Sequence, residues 1–287
     1  MSNPAIVAEN LTYSYGDFIA VDHINFEVAE GEILGFLGPN GAGKSTTWKM
    51  LTGQFKPKDG RAMILGRDMA RETDKIQSEI GVCFEYTNLY EQMTAGENLK
   101  LFAKLFGVKD FDAEGLLRRV GLEDSAKKRV EEFSKGMKQR LMVARSFVNR
   151  PKILFLDEPT SGLDPVSAET IRKLILEERD RGVTIFLTTH DMWEADKLSD
   201  RVGFIDQGKI VALDTPHDLK QTYGKRALKA EINSGDGPQQ VEILMDTPET
   251  LNAIQELFSR NKVITVHSEE ATLEDIFIQL TGRGLEA

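Results

Sequence analysis

The chain has 287 residues, 40% hydrophobic and 29% charged, a composition that excludes a disordered or fibrous protein and allows a sizeable core. With 36 Lys and Arg against 46 Asp and Glu the net charge is -10, which argues against a nucleic-acid partner, since such binders present a basic face. One cysteine, Cys83, permits no intramolecular disulfide and fits a reducing compartment; Met1–Asn10 does not read as a signal peptide, and no run of ~20 apolar residues offers a membrane span.

In chain order, residues 1–30 read as strands, with Ile6, Ala8, Leu11 and Tyr13, then Ile24, Phe26 and Val28, in alternation around a turn at Gly16-Asp17. The continuous apolar run Ile33–Leu37 reads as a strand buried on both faces. A glycine-rich loop follows it, then a helix from Lys44 to about Thr52 closed by Gly53, and a strand near Met63–Leu65. Residues 94–150 read as helical. Thr94 and Glu97 form a capping box ahead of Leu99, Phe102, Leu105 and Phe106, and Ser134 is placed to cap a second helix with Leu141, Ala144, Phe147 and Val148 on its apolar side. Buried strands Ile153–Leu156 and Thr184–Thr188 flank a charged amphipathic helix over about Ser167–Arg181, an alternation that predicts a parallel sheet covered on both faces. After about Gly224 the pattern changes. Short strands at Leu228–Ile232, Val241–Met245 and Val263–His267, a turn-rich stretch from Asn233 to Pro238, and helices at Pro248–Arg260 and Leu273–Leu280 predict a small α+β appendage over 225–287.

Gly38-Pro39-Asn40-Gly41-Ala42-Gly43-Lys44-Ser45-Thr46 fits the phosphate-loop pattern between a buried strand and a helix. In that chemistry backbone N–H groups and the helix N-terminus cradle phosphate oxygens, Lys44 reaches the β- and γ-phosphates, and the Ser45 hydroxyl ligates Mg²⁺. Ile153–Leu156 runs into Asp157-Glu158-Pro159 at a strand end, where parallel sheets bind ligands. Asp157 suits a hydrated Mg²⁺, and Glu158 suits a general base for an attacking water. No Asn-Lys-x-Asp guanine motif is present, since Asn261-Lys262-Val263-Ile264 lacks the aspartate.

Phe133-Ser134-Lys135-Gly136-Met137, upstream of Asp157-Glu158, resembles the signature motif of ABC-transporter ATPase subunits, usually Leu-Ser-Gly-Gly-Gln. Tyr15 resembles the family's adenine-stacking aromatic, Ser161-Gly162-Leu163-Asp164 its D-loop, and His190 its switch histidine at the γ-phosphate. The order and spacing match over about residues 5–220. The resemblance implies a P-loop NTPase fold of the α/β class with a mixed sheet core, an ATPase domain over 1–224 and a helical subdomain at about 86–150. It implies ATP and Mg²⁺ as cofactors. A second copy would face the first head to tail, so that Ser134, Lys135, Gly136 and Asp164 meet the nucleotide on the partner's phosphate loop. It also implies transmembrane permease subunits as partners and a peripheral place on the cytoplasmic face of the membrane. The tail Leu273-Glu274-Asp275-Ile276-Phe277 and the appendage resemble drug-exporter ATPases of the daunorubicin-resistance type, so export is the expected direction. The alternative in the same superfamily is a soluble mechanical clamp without transport.

Three features depart from the pattern or stay open. Lys135 stands where the signature has a glycine, and either adds charge beside a phosphate or points to solvent. Glu85 stands where the family's Q-loop has glutamine: a carboxylate can ligate Mg²⁺ but cannot donate a hydrogen bond, and the alternative is that it faces solvent. Tyr86, Leu89, Tyr90 and Met93 form either a local packing cluster or a groove for a helix of a membrane partner.

Overall fold

A computed structural model describes residues 4–224, 227–233, 238–245, 247–260 and 262–284. In it the chain divides after Leu213 into two units.

The first unit begins with strands β1 (Ile6–Tyr15) and β2 (Phe18–Val28), an antiparallel hairpin turned at Gly16. Then come β3 (Ile33–Leu37), helix α1 (Lys44–Leu51), β4 (Asp59–Ile64), the two-residue β5 (Arg67–Asp68), α2 (Thr73–Gln77) and β6 (Ile80–Cys83). Helices α3 (Ala95–Leu105), α4 (Ala113–Arg119) and α5 (Lys135–Ser146) follow. The unit closes with β7 (Ile153–Asp157), α6 (Pro165–Asp180), β8 (Thr184–Thr189), α7 (Met192–Leu198), β9 (Arg201–Asp206) and β10 (Lys209–Asp214).

Two sheets result. One is antiparallel in the order β2-β1-β4-β5; the other has the order β10-β9-β3-β8-β7-β6, and its run from β9 to β6 is parallel. Every residue of β3, β7 and β8 is buried, the apolar stretches Ile33–Leu37, Ile153–Leu156 and Ile185–Leu187 together with Asp157 and the threonines of β8. Phe36, Phe155 and Phe186 pack across these strands as tilted pairs, with centroids 5.4 Å (Phe36–Phe186) and 5.9 Å (Phe155–Phe186) apart. The side of the sheet carrying Leu154, Leu156, Ile185 and Leu187 shares a core with α3, α4 and α5 through Leu99, Leu117, Leu141 and Ala144. Thr94 caps α3 with the full reciprocal box to Glu97, and Ser134 caps α5 through the Met137 N–H at 3.2 Å.

The second unit holds α8 (Pro216–Tyr223), β11 (Ala227–Asn233), β12 (Pro238–Leu244), α9 (Thr250–Arg260), β13 (Lys262–Glu269) and α10 (Leu273–Thr281). Its sheet is antiparallel in the order β12-β11-β13, with Leu257 of α9 buried against Ala230, Ile232 and Ile243. The division expected at Gly224 therefore falls earlier, after Leu213, because α8 packs on α10 within this unit. The turn-rich stretch expected between β11 and β12 has its centre at 234–237, outside the described residues. Pro238, expected to close that turn, instead opens β12 on the sheet's edge.

Candidate functional site

Parallel pairing aligns the carboxyl ends of four strands. Leu37 of β3 is in register with Thr189 of β8, Thr188 with Asp157 of β7, and Leu156 with Cys83 of β6. The glycine-rich loop, Glu85, Glu158 and His190 each leave one of these ends, so residues far apart in the chain line one cleft of about 350 Å³ with Tyr15 and Phe18 of the hairpin.

The loop keeps its shape because two positions accept only glycine. A Cβ on Gly38 would lie 2.2 Å from the Ile205 carbonyl, and Gly43 has φ 115° with the Ala20 carbonyl 2.6 Å from where its Cβ would be. Gly43 is also the N-cap of α1, so no side chain covers that helix's first N–H groups. Pro39, Asn40, Gly41, Gly43, Lys44, Ser45 and Thr46 line the cleft; Gly38 and Ala42, expected there too, are buried and do not line it. Lys44 is buried, and its ammonium donates to the Gly38 and Pro39 carbonyls. Burial lowers its pKa, and Glu158, Asp157 and Glu85 act in the opposite direction.

Asp157 is buried and accepts from the Thr188 hydroxyl. Burial raises its pKa; the Thr188 hydrogen bond opposes this, while Glu85 and Glu158 add to it. Glu158 takes a left-handed backbone, φ 49°, which turns the chain sharply off β7. Its carboxylate lies 2.9 Å from His190 Nδ1. A carboxylate and an imidazole thus stand side by side at one end of the cleft. At the other end Tyr15, 46% exposed, is held edge-on by Tyr13 and Phe55, and its hydroxyl is 3.4 Å from Thr46 Oγ1. Phe18, 64% exposed, lines the same end and was not singled out from the sequence; only its place just past the Gly16-Asp17 turn marks it.

Ser45, Asp157 and Glu85 meet in this cleft, an all-oxygen donor set that suits Mg²⁺ with few protein ligands. Among the described residues no group of three or more His, Cys, Asp or Glu side chains could hold a metal by itself. Glu85, though exposed, lines the cleft rather than facing away from it.

Ser134, Lys135, Gly136 and Asp164 do not line this cleft. They form a separate group: Asp164 caps α6 through the Val166 and Ser167 N–H groups, and Gly136 lies against Ser167 and Asp164. The Ser167 hydrogen bonds hold the Asp164 carboxyl below the usual range. The Lys135 ammonium leans over Gly162 of the D-loop, and Ser134 at the tip of α5 is exposed.

Tyr86, Leu89, Tyr90 and Met93, read as either a packing cluster or a groove, divide between core and surface, with Tyr86 and Tyr90 exposed and Tyr90 6.2 Å from the Phe102 ring. Leu89 is buried in the core, and Asn98 ties down the Tyr90 backbone through its N–H (2.9 Å) and carbonyl (3.0 Å). The cleft beside them, about 250 Å³, is lined instead by Phe84, Asn88, Phe102, Phe106 and Arg145, with the Arg145 guanidinium 4.6 Å over the Phe102 ring.

Comparison with known proteins matches residues 21–161 to the ABC transporter family. The Fluoroquinolones export ATP-binding protein of Mycobacterium tuberculosis is 46% identical, covering 93% of this chain and 89% of that one. The Bacitracin transport ATP-binding protein BcrA of Bacillus licheniformis is 35% identical over 97% of this chain and 98% of its own. Among solved structures, an ATP-binding subunit of an ABC transporter superposes with TM-score 0.71 and 30% identity, covering 76% of this chain and 93% of its own. A dimeric ATP-binding cassette in a post-hydrolysis state with ADP and Pi superposes with TM-score 0.68 and 28% identity, over 73% of this chain and 98% of its own. On these likenesses, which reach over nine-tenths of its length, the chain belongs to the ATP-binding, ATP-hydrolysing subunits of ABC transporters.

Proposed function

We propose that this chain powers export through separate membrane subunits, with Lys44, Glu158 and His190 doing the chemistry of ATP hydrolysis. The observation that carries the reading is the convergence of four strand ends on one cleft, with an ammonium in the glycine loop and a carboxylate–imidazole pair opposite. The loop N–H groups and the open N-terminus of α1 receive the phosphates, and Lys44 exchanges its loop carbonyls for β- and γ-oxygens. Tyr15 and Phe18 give the base a ring face. Water attacks the γ-phosphorus, the new O–P bond replaces the bridging one, ADP departs, and Glu158 takes the water's proton. His190 orients Glu158 through Nδ1 and offers Nε2 to the γ-phosphate. Ser45 and Asp157, with Glu85 beside them, would hold Mg²⁺, which supplies neutralisation of phosphate charge.

Ser134, Lys135 and Gly136 lie outside their own chain's cleft, on the exposed N-terminus of the 12-residue helix α5. That placement supports a head-to-tail dimer in which they cap the partner's nucleotide. Among the described residues no helix is long and apolar enough to cross a membrane. The aromatic cleft at Phe84, Phe102 and Phe106 is the proposed seat for a permease helix at the cytoplasmic face. Export is supported by the likeness to the fluoroquinolone-export relative over 93% of this chain.

The test is Phe106→Glu, at a 43% exposed position on that cleft. The variant should leave the membrane fraction of cells expressing the whole system, and transport should stop, while the purified chain keeps its ATPase rate within about twofold. Membrane retention with undiminished transport would remove the cleft from this role.

Glu85 adds a negative charge to a cleft that already holds Asp157 and Glu158 and must accept an anion. Glu85→Gln should shift the ATP or Mg²⁺ concentration at half-maximal activity by about threefold, the size of a solvent-screened charge interaction. Superimposable titrations for parent and variant would place Glu85 outside the working site.

A further inference from the structure

Glu194 is a fully buried carboxylate outside the cleft, 0% exposed. It stands in the first turn of α7, whose N-cap Asp191 directly follows His190. The Thr160 hydroxyl lies 2.7 and 2.8 Å from its two oxygens, and Arg172 Nε of α6 donates to it at 3.2 Å. The Arg172 guanidinium is clamped in turn over the Trp193 ring at 4.9 Å. Thr160 sits in the turn that leaves Glu158, a turn closed by the Ser161 N–H on the Glu158 carbonyl at 3.2 Å. One carboxylate therefore ties together the segment after Glu158, the helix after the D-loop, and the helix after His190.

A buried carboxylate costs desolvation, and a well-packed apolar residue would often serve stability equally well. Its burial here matches a demand for geometry. Glu158 holds a left-handed backbone that only its surroundings can fix, and its carboxylate must stay 2.9 Å from His190 across two strand ends. We infer that Glu194 is a positioning residue for ATP hydrolysis: by holding Thr160 it fixes the turn after Glu158 and keeps the Glu158–His190 pair in register. This rests on the assignment of Glu158 and His190 above.

The experiment compares steady-state ATPase kinetics and melting of the full chain for Thr160→Val, Thr160→Ser, Glu194→Gln and the Thr160→Val/Glu194→Gln double variant. Thr160→Val removes the hydroxyl at nearly constant shape. It should lower kcat about tenfold with KM for ATP within about twofold, since misplacement by a fraction of an ångström is felt in the transition state rather than in binding. Thr160→Ser should retain most of kcat. Glu194→Gln should lose kcat to a similar extent, and the double variant should be no slower than the slower single one, as for two parts of one device. Thr160→Val at the parent kcat, Thr160→Ser as slow as Thr160→Val, or losses in the double variant that multiply would overturn the inference. Glu158→Gln run alongside separates the two levels: if it stops turnover while Thr160→Val does not, the positioning role fails and the Glu158 assignment stands. If Glu158→Gln itself runs at the parent rate, the underlying assignment fails.

Discussion

Replacing Glu158 with Gln is expected to keep ATP binding and to slow hydrolysis by ~10²–10⁴-fold, the range for loss of a general base. The amide preserves shape and can still meet His190, 2.9 Å away in the parent, but it cannot take a proton from water. Lys44 and the loop N–H groups, which bind the phosphates, are untouched. With turnover blocked, the nucleotide should stay between two copies, so size-exclusion in ATP and Mg²⁺ should show a dimer that the parent forms only transiently. A variant that hydrolyses at the parent rate, or stays monomeric at high protein concentration, would take Glu158 out of its role.

Lys44→Ala should fail earlier, at binding. It removes the buried ammonium facing Asp157, Glu158 and Glu85, and leaves those carboxylates unbalanced where an anion must enter. A lost hydrogen bond to a charged partner is worth up to about 3 kcal/mol, so ATP should bind ~10²-fold more weakly by equilibrium dialysis. The same variant tests the head-to-tail arrangement. Ser134→Arg blocks the tip of α5 and forfeits a helix cap worth about 1 kcal/mol, which a melting curve would register without loss of the fold. Each variant alone should be inactive. Refolded together in equal amounts, about half the dimers are mixed and each mixed dimer has one intact site, so about a quarter of the parent activity should return. A mixture no more active than its components would rule out sites shared between copies.

Local chemistry settled a large part of this molecule before any packing was known. The buried strands read at Ile33–Leu37, Ile153–Leu156 and Thr184–Thr188 are legible because a strand covered on both faces is built around a mostly apolar run, and each extends by at most one polar residue, Asp157 or Thr189. The helix starts at Thr94 and Ser134 are legible because a capping side chain answers N–H groups only a few residues away. The glycine loop with Lys44 is legible as a nine-residue motif, although the backbone that crowds Gly38 and Gly43 comes from Ile205 and Ala20, far along the chain. Interactions that span the chain were not legible in this way. Motif order named Glu158 and His190, but only the register Asp157–Thr188 places their side chains in contact. Phe18 joins the cleft because a hairpin folds it back, and the groove near α3 is made by Phe84, Phe102 and Phe106 from two separate segments rather than by the contiguous run beginning at Tyr86. Glu194 reads in sequence as one more acid on a charged helix; only the packing of α6, α7 and the turn at Thr160 around it buries it completely. Periodicity and caps are fixed by neighbours a few residues apart, and the sequence by itself determined them. Which side chains from distant strand ends meet, and which charge is taken out of water, depends on long-range pairing, and the tertiary structure alone decided that.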